Sequence, residues 1–460
     1  MNRILLGLLF VALTYTPAVF AGDATPLPAR GPKTYTLADC IHQALQVSPE
    51  VKELGLDREI AKSRLDQAKA NRYPTIETVT LTGPTSQARG DQINSTYKSN
   101  EIHGLTPFIM FDMKVIQPLY TFGKLSKTME AAEHGIKYEE ARIIQKKTDV
   151  ALEIKKYYWA LLAARESTRL IDEIQSYLDS AQKRARRLLS ENSPSVTEMD
   201  LYKLQSYNSM VTKYREEALK YETVTKVALT RFMDIKNPES FDIADKSLEP
   251  VKFDPAEIKK YLDESKKQRP EYDQLKNGLI AKEALYEAEK ADYYPTIFAA
   301  GMASYAGAPD RDTVRNPWIY DRFNHEEAGV ALGMKWNFDF GITKAKVDQA
   351  RAEYLKVTKK KEYADMGIPV QVEQAYYDIL EARRVIDSTS KGYKSARKWL
   401  VGSVANYDMG VGEMKDAADS IVVYVQLKQE YLKAILNYNM GVANLDHACG
   451  RDTLEVRGAD

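Results

Sequence analysis

Cysteine and histidine are scarce in this 460-residue chain, with two of the first and five of the second. Two thiols cannot form a disulfide scaffold. Cys40 and Cys449 read either as one possible disulfide near the chain ends in an oxidising compartment or as two separate buried thiols. His42, His103, His134, His325 and His447 fall on different segments without metal-ligand spacing. A glycine-rich phosphate loop and a serine elbow are also missing, so no enzyme and no cofactor are expected. Acidic and basic residues balance at 65 each, which gives no reason to expect a nucleic acid partner. Beyond the N-terminus no apolar run approaches the ~18 residues of a membrane helix.

The N-terminus itself has the layout of a secretory signal over residues 1–21. Arg3 supplies the positive end, residues 4–13 the apolar core, and Val19-Phe20-Ala21 a small-residue cleavage site. A lipid-modified start would need a cysteine directly after that core, and the first is Cys40. The mature chain is thus expected to be exported and to span no membrane by helices. In a Gram-negative envelope a β-barrel stays open to it.

Residues 124–192 carry the most regular signal in the chain. Val150, Ile154, Tyr157, Leu161, Ala164, Thr168 and Ile171 alternate steps of four and three, and after one extra step Ile174, Leu178, Ala181, Ala185 and Leu188 resume the stripe. Lys146-Lys147, Lys155-Lys156 and Arg184 to Arg187 exclude a membrane span. At ~1.5 Å per residue such a helix is roughly 100 Å long, so it belongs to a tube or a rod. Asn192-Ser193-Pro194 ends it, and a second stripe from Leu204 to Phe232 returns antiparallel.

Around this hairpin the other elements fall in order. Thr36 and Asp39 form a capping box for a helix over 37–71 that Ser48-Pro49 interrupts. Strands are expected over about 74–83 and 107–119, the latter with Ile109, Phe111, Met113 and Val115 on one face. A linker at 234–269 holds a short strand near residues 241–243, and Asp254-Pro255-Ala256-Glu257 opens another helix.

The chain then repeats itself. Pro49-Glu50, Lys69-Ala70 and Tyr73-Pro74-Thr75-Ile76 recur as Pro270-Glu271, Lys290-Ala291 and Tyr294-Pro295-Thr296-Ile297, each pair 221 positions apart as 49 is from 270. Phe122-Gly123 recurs as Phe340-Gly341 at 218, so the second strand pair is three residues shorter. Asn192 then falls on Gly410. Such duplication is a fold-level signal. It divides the mature chain into a first repeat at 22–233, the linker, a second repeat at 270–449 and a tail at 450–460. The second repeat has strands over about 295–306 and 327–340 and a helical hairpin over about 342–449, which Pro369 is expected to kink.

In the second repeat Ala328, Val330, Leu332, Met334, Trp336 and Phe338 face one way and Gly329, Ala331, Gly333, Lys335, Asn337 and Asp339 the other. That alternation suits a lipid-facing barrel, with the edge of a soluble sheet as the competing reading. Open sheet edges are not tolerated in hydrocarbon, and the smallest bacterial barrels have about eight strands. A chain with four must pool them with copies of itself.

Taken together, the two Tyr-Pro-Thr-Ile helix ends, the corners at Phe122-Gly123 and Phe340-Gly341, and Tyr407-x-x-Gly410 before Asp416 resemble the TolC-like outer-membrane efflux and secretion channels. The resemblance spans nearly the whole mature chain. It implies a mixed α and β fold: a homotrimer whose four strands per chain complete a twelve-stranded transmembrane β-barrel in outer-membrane lipid, set on a long periplasmic α-helical barrel. It also implies a periplasmic membrane-fusion adaptor and an inner-membrane transporter of RND, ABC or MFS type as partners.

Family members narrow the periplasmic end with inward carboxylates. By the resemblance these are Asp416 and Asp419 here, with Glu198 in the first repeat, near tip turns formed by Asn192, Pro194, Tyr407, Gly410 and Gly412. The same acids also suit helix N-termini as complements to the macrodipole, and both roles can coexist. The family's basic tip residue, two positions after the turn glycine, is replaced by Gly412, with Lys415 as a weak substitute. A pore-free periplasmic coiled-coil adaptor or scaffold is the alternative.

Overall fold

A computed structural model describes residues 33–87, 104–193, 196–311 and 318–452. The proposed signal segment and Pro194 lie outside the described residues. In chain order the elements are β1 (Lys33–Tyr35), α1 (Leu37–Val47), α2 (Pro49–Ala70), β2 (Thr75–Ser86), β3 (Leu105–Tyr120), α3 (Lys124–Ser190), α4 (Glu198–Phe232), β4 (Phe241–Ile243), α5 (Ile258–Gln268), α6 (Pro270–Lys290), β5 (Thr296–Gly307), β6 (His325–Lys335), α7 (Ile342–Met409) and α8 (Met414–Cys449).

Local chemistry sets most boundaries. The Asp39 amide donates to Thr36 Oγ1 at 3.2 Å and the Thr36 amide to the Asp39 carboxylate at 3.0 Å, which starts α1. Ser48 ends α1 and caps α2, with proline in its first turn. At both strand-to-helix corners a phenylalanine takes a left-handed backbone, Phe122 and Phe340 each at φ 50°. A non-glycine residue there costs on the order of 1–3 kcal/mol, so packing must hold it. Phe122 stacks on Tyr294 with centroids 5.1 Å apart.

Three expectations are corrected. The last strand stops at Lys335, short of Trp336 and Phe338, because the Trp336 indole turns to donate to the Tyr293 carbonyl at 3.2 Å. Helix α5 begins at Ile258, after Asp254-Pro255, because the Ala256 amide is taken by the Tyr261 hydroxyl at 3.0 Å. The possible Cys40–Cys449 disulfide is not formed: both thiols are free and fully buried, in different core clusters. Cys40 packs with α3 and α4 residues, Cys449 with Tyr261 and α7, and burial pushes each thiol up to about 12. Helix α7, for its part, runs unbroken through Pro369.

The helices pack side by side. Near the sheet the neighbours run α2, α3, α6, α7; further away they run α4, α3, α8, α7. The α3 stripe from Val150 to Ala185 turns inward as its spacing requires. A middle layer, where β1 pairs in parallel with β4, ties the two repeats together around Tyr158, Leu161, Phe241 and Ile435. Among the described residues no helix is long and apolar enough to cross a membrane.

One half-buried tie in that layer titrates. His447 Nε2, near the end of α8, lies 3.0 Å from the Asp149 carboxylate on α3. Burial pulls the imidazole down, but the Asp149 hydrogen bond and the Asp452 and Asp149 charges outweigh it and Arg269, holding His447 above its ordinary 6.5. A raised folded value means stability is present in full below the unfolded value and lost as pH rises through the folded one. The thermal midpoint in detergent should therefore exceed that of His447→Gln by more at about pH 6 than at about pH 8. An equal gap at both would remove the charged pair from the stability of this layer.

Candidate functional site

Two regions of the molecule look built to act on something else, and the sheet is the first. Its strand order is β2-β3-β5-β6, all antiparallel, so β2 and β6 each leave one edge unpaired within the chain. The register sorts the side chains. Val79 opposes Asp112, Asp112 opposes Ser304 and Ser304 opposes Glu327, so these share a face with Glu77, Lys114, His325 and Lys335. The other face holds Ile76, Ile109, Phe111, Met113, Val115, Ala328, Val330, Leu332 and Met334, with Val330 91% exposed. Glu326 is the one charged strand residue on this apolar face, at the end far from the helices. Val79 and Leu81 lie with the charges and Thr78, Thr80 and Thr82 with the apolar residues, so this part of β2 reads backwards.

Where strands meet helices, Tyr73, Tyr120, Phe122, Tyr293, Tyr294, Trp336, Phe338 and Phe340 form an exposed aromatic band. One apolar face, one charged face and an aromatic rim suit a wall between lipid and water.

The second region is the far end of the helical hairpins. Gly410 closes α7 at φ 81°, its amide bonded to the Tyr407 carbonyl at 3.1 Å, and the Val411 and Gly412 amides both bond to the Asn406 carbonyl at 3.0 Å. A Cβ on Gly412 would sit 2.8 Å from Asn406 Cβ and 2.9 Å from the Tyr407 amide, so no side chain, basic or otherwise, fits there. Asn192, at φ 52°, makes the matching turn in the first repeat, where the Ser193 amide bonds to the Leu188 carbonyl at 3.0 Å.

The charge missing at Gly412 is supplied from the other hairpin. Arg184 of α3 donates to the Asp408 backbone carbonyl, lies 3.6 Å from its carboxylate and sits 5.4 Å over the Tyr407 ring. Tyr407 is buried, which raises its hydroxyl above the usual phenol value, and that hydroxyl has no hydrogen-bond partner among the described residues. Arg184 thereby joins the two tips of one chain. Lys415 is exposed and takes no part.

Asp416 and Asp419 stand on the solvent side of α8, while Ala417, Ser420 and Ile421 pack inward and Ser420 Oγ meets Ser403 Oγ at 2.7 Å. The Trp399 indole donates to the Asp416 carboxylate at 3.0 Å. Asp419 and Glu198 are exposed and make no hydrogen bond or ion pair with the described residues. The structure thus brings Arg184, Tyr407, Asp408 and Gly410 together and leaves two of the three exposed acids without a partner among the described residues. Sequence spacing missed Arg184 and Asp408. The repeat held a clue: with Asn192 matched to Gly410, Arg184 stands about two turns before one helix end and Asp408 just before the other. Among the described residues no group of acidic, histidine or cysteine side chains could hold a metal ion.

The profile of the outer membrane efflux protein family matches residues 40–191 and 261–451. Several solved channels share the fold. The CmeC outer membrane channel of Campylobacter jejuni is 14% identical with a TM-score of 0.74, covering 96% of this chain and 94% of its own. The MtrE outer membrane channel of Neisseria gonorrhoeae is 17% identical with a TM-score of 0.71, covering 90% and 88%. The outer membrane protein VceC of Vibrio cholerae is 13% identical with a TM-score of 0.73, covering 90% and 96%. No curated protein matches in sequence.

Proposed function

We propose, since the chain belongs to the outer membrane efflux protein family, that it is the outer-membrane channel of a tripartite efflux or secretion machine, passing substrates passively from periplasmic partners to the exterior. The observation that carries this is the four-stranded sheet with two open edges and one charged face. Unpaired backbone groups cost several kcal/mol each in hydrocarbon, so the sheet needs further strands from identical chains. Three copies closing a twelve-stranded barrel satisfy it, with Val330 and Leu332 against lipid and Asp112 and Glu327 lining the pore. A pore-free scaffold would have no use for such a sheet. The helical tips would meet a periplasmic adaptor and, through it, an inner-membrane transporter.

At the tips, Asp416, Asp419 and Glu198 are the acids we assign to the pore constriction, with Tyr407, Gly410, Gly412 and Asn192 shaping the turns. Rings of exposed carboxylates favour cations. In planar bilayers, Asp416→Ala with Asp419→Ala is expected to shift the reversal potential in a salt gradient toward zero. An unchanged reversal potential would remove these two residues from the filter.

A further inference from the structure

At the end of the sheet far from the helices, Thr85, Thr106, Met110 and Ala306 are buried although the charged face is otherwise open in the isolated chain. Residues of the β5–β6 connection, in its described parts 308–311 and 318–324, lie over them. By strand order that connection need only pass from β5 to its neighbour β6. Instead Arg311 reaches back to β2, two strands or about 10 Å away, where it donates to the Ser86 carbonyl and lies 3.4 Å from Thr85 Oγ1. On β3, the Asp310 amide donates to Thr106 Oγ1 at 3.4 Å and Phe323 packs edge-on against Phe108, 4.8 Å between centroids. Phe108 opposes Gly83 and so belongs to the charged face.

The connection is fastened to itself. Arg311 Nε lies 3.0 Å from the Asp321 carboxylate, the side chains only 8% and 6% exposed, and the guanidinium sits 5.2 Å over the Phe323 ring. The Phe323 amide donates to the same carboxylate at 3.0 Å. His325 Nδ1 lies 3.1 Å from the Asp321 carbonyl and its Nε2 2.7 Å from Ser304 Oγ, which donates to Asp112 at 2.6 Å. A buried ion pair holds only while both charges stay paired, since a lone buried charge is strongly unfavourable.

We propose that the described parts of this connection, 308–311 and 318–324, form a strap folded across the pore side of the outer mouth, narrowing the exit, with Arg311 and Asp321 as its lock. It rests on the channel reading, because the charged face lines a pore only if the sheet closes into a barrel. Passage of a bulky substrate then requires the strap to lift as a unit, a local opening set by the ion pair and the Phe323–Phe108 seat.

The test is size-dependent labelling of intact cells from outside. Met302→Cys places a thiol on the charged face, helix-ward of the strap; Thr80→Cys places one on the opposite face. The native thiols are buried, and in both backgrounds they contribute a constant baseline. A small membrane-impermeant maleimide is expected to label Met302→Cys and not Thr80→Cys. A polyethylene-glycol maleimide should react slowly with Met302→Cys and about tenfold or more faster once Arg311→Ala and Asp321→Ala are combined, a change that leaves neither charge stranded. Phe323→Ala, which keeps the ion pair, is expected to accelerate it too and serves where the double variant fails to reach the outer membrane. Unchanged bulky labelling in the variants that do reach it would overturn the strap alone. Small-reagent labelling of Thr80→Cys in place of Met302→Cys would overturn the channel reading and the strap with it.

Discussion

Tyr158→Ala is expected to destabilise the protein by about 3–5 kcal/mol, the range for emptying a large aromatic site in a packed core. Its ring is fully buried where α1, α3, α4 and the β1–β4 pair meet, against Ile154, Leu161, Leu229 and Phe241. The polar part of the side chain contributes little by comparison. Its hydroxyl donates to the Asp245 carboxylate at 2.9 Å, and burial followed by that bond raises it above the ordinary phenol range. Asp245 itself is exposed and regains water when the hydroxyl goes. Tyr158→Phe should therefore cost no more than about 1 kcal/mol. Unfolding midpoints of the two variants in detergent decide the matter, and equal losses would mean the hydrogen bond, not the ring, holds the layer together.

Arg184→Ala is expected to open the tips. The side chain is one-fifth exposed and makes a charged hydrogen bond to Asp408 and a cation–π contact with Tyr407. Together these are worth roughly 2–3 kcal/mol per chain. Each 1.4 kcal/mol shifts a closed-to-open ratio about tenfold, so the open fraction should rise by one to two orders of magnitude. Single-channel recordings would show longer openings, and cells would become more sensitive to antibiotics too large for ordinary porins. Arg184→Lys keeps the charge but loses the fork and should fall between. Recordings of Arg184→Ala indistinguishable from the natural protein would show that the tips are held by something else.

What could be read from the chain alone was whatever local spacing encodes. The capping box at Thr36, the stop at Ser48-Pro49, the α3 stripe, the two Phe-Gly corners and the left-handed turn at Gly410 each depend on a few neighbouring residues. The repeat extended that reach, because one half could be read against the other. Contacts between distant positions were not legible. Arg184 and Asp408 lie 224 positions apart, and nothing in Arg184-Ala185-Arg186-Arg187 marks the first as the one turned inward. Likewise, nothing in the sequence around Arg311 marks it as the residue that crosses to Ser86 at the end of β2, 225 positions away. The cysteines failed for the opposite reason: rarity and placement suggested pairing, but each thiol is a small apolar filler in its own cluster.

The strand order has a kinetic consequence for insertion. Within the sheet the joint between β3 and β5 forms inside one polypeptide, while in the proposed ring β6 must meet the β2 of another copy. Around the circumference three joints of the first kind would stand between successive joints of the second, the first independent of protein concentration and the second proportional to it. At low synthesis rates half-built arcs would therefore wait for partners, and the time to a sealed pore would be governed by the supply of fresh chains more than by how fast each folds.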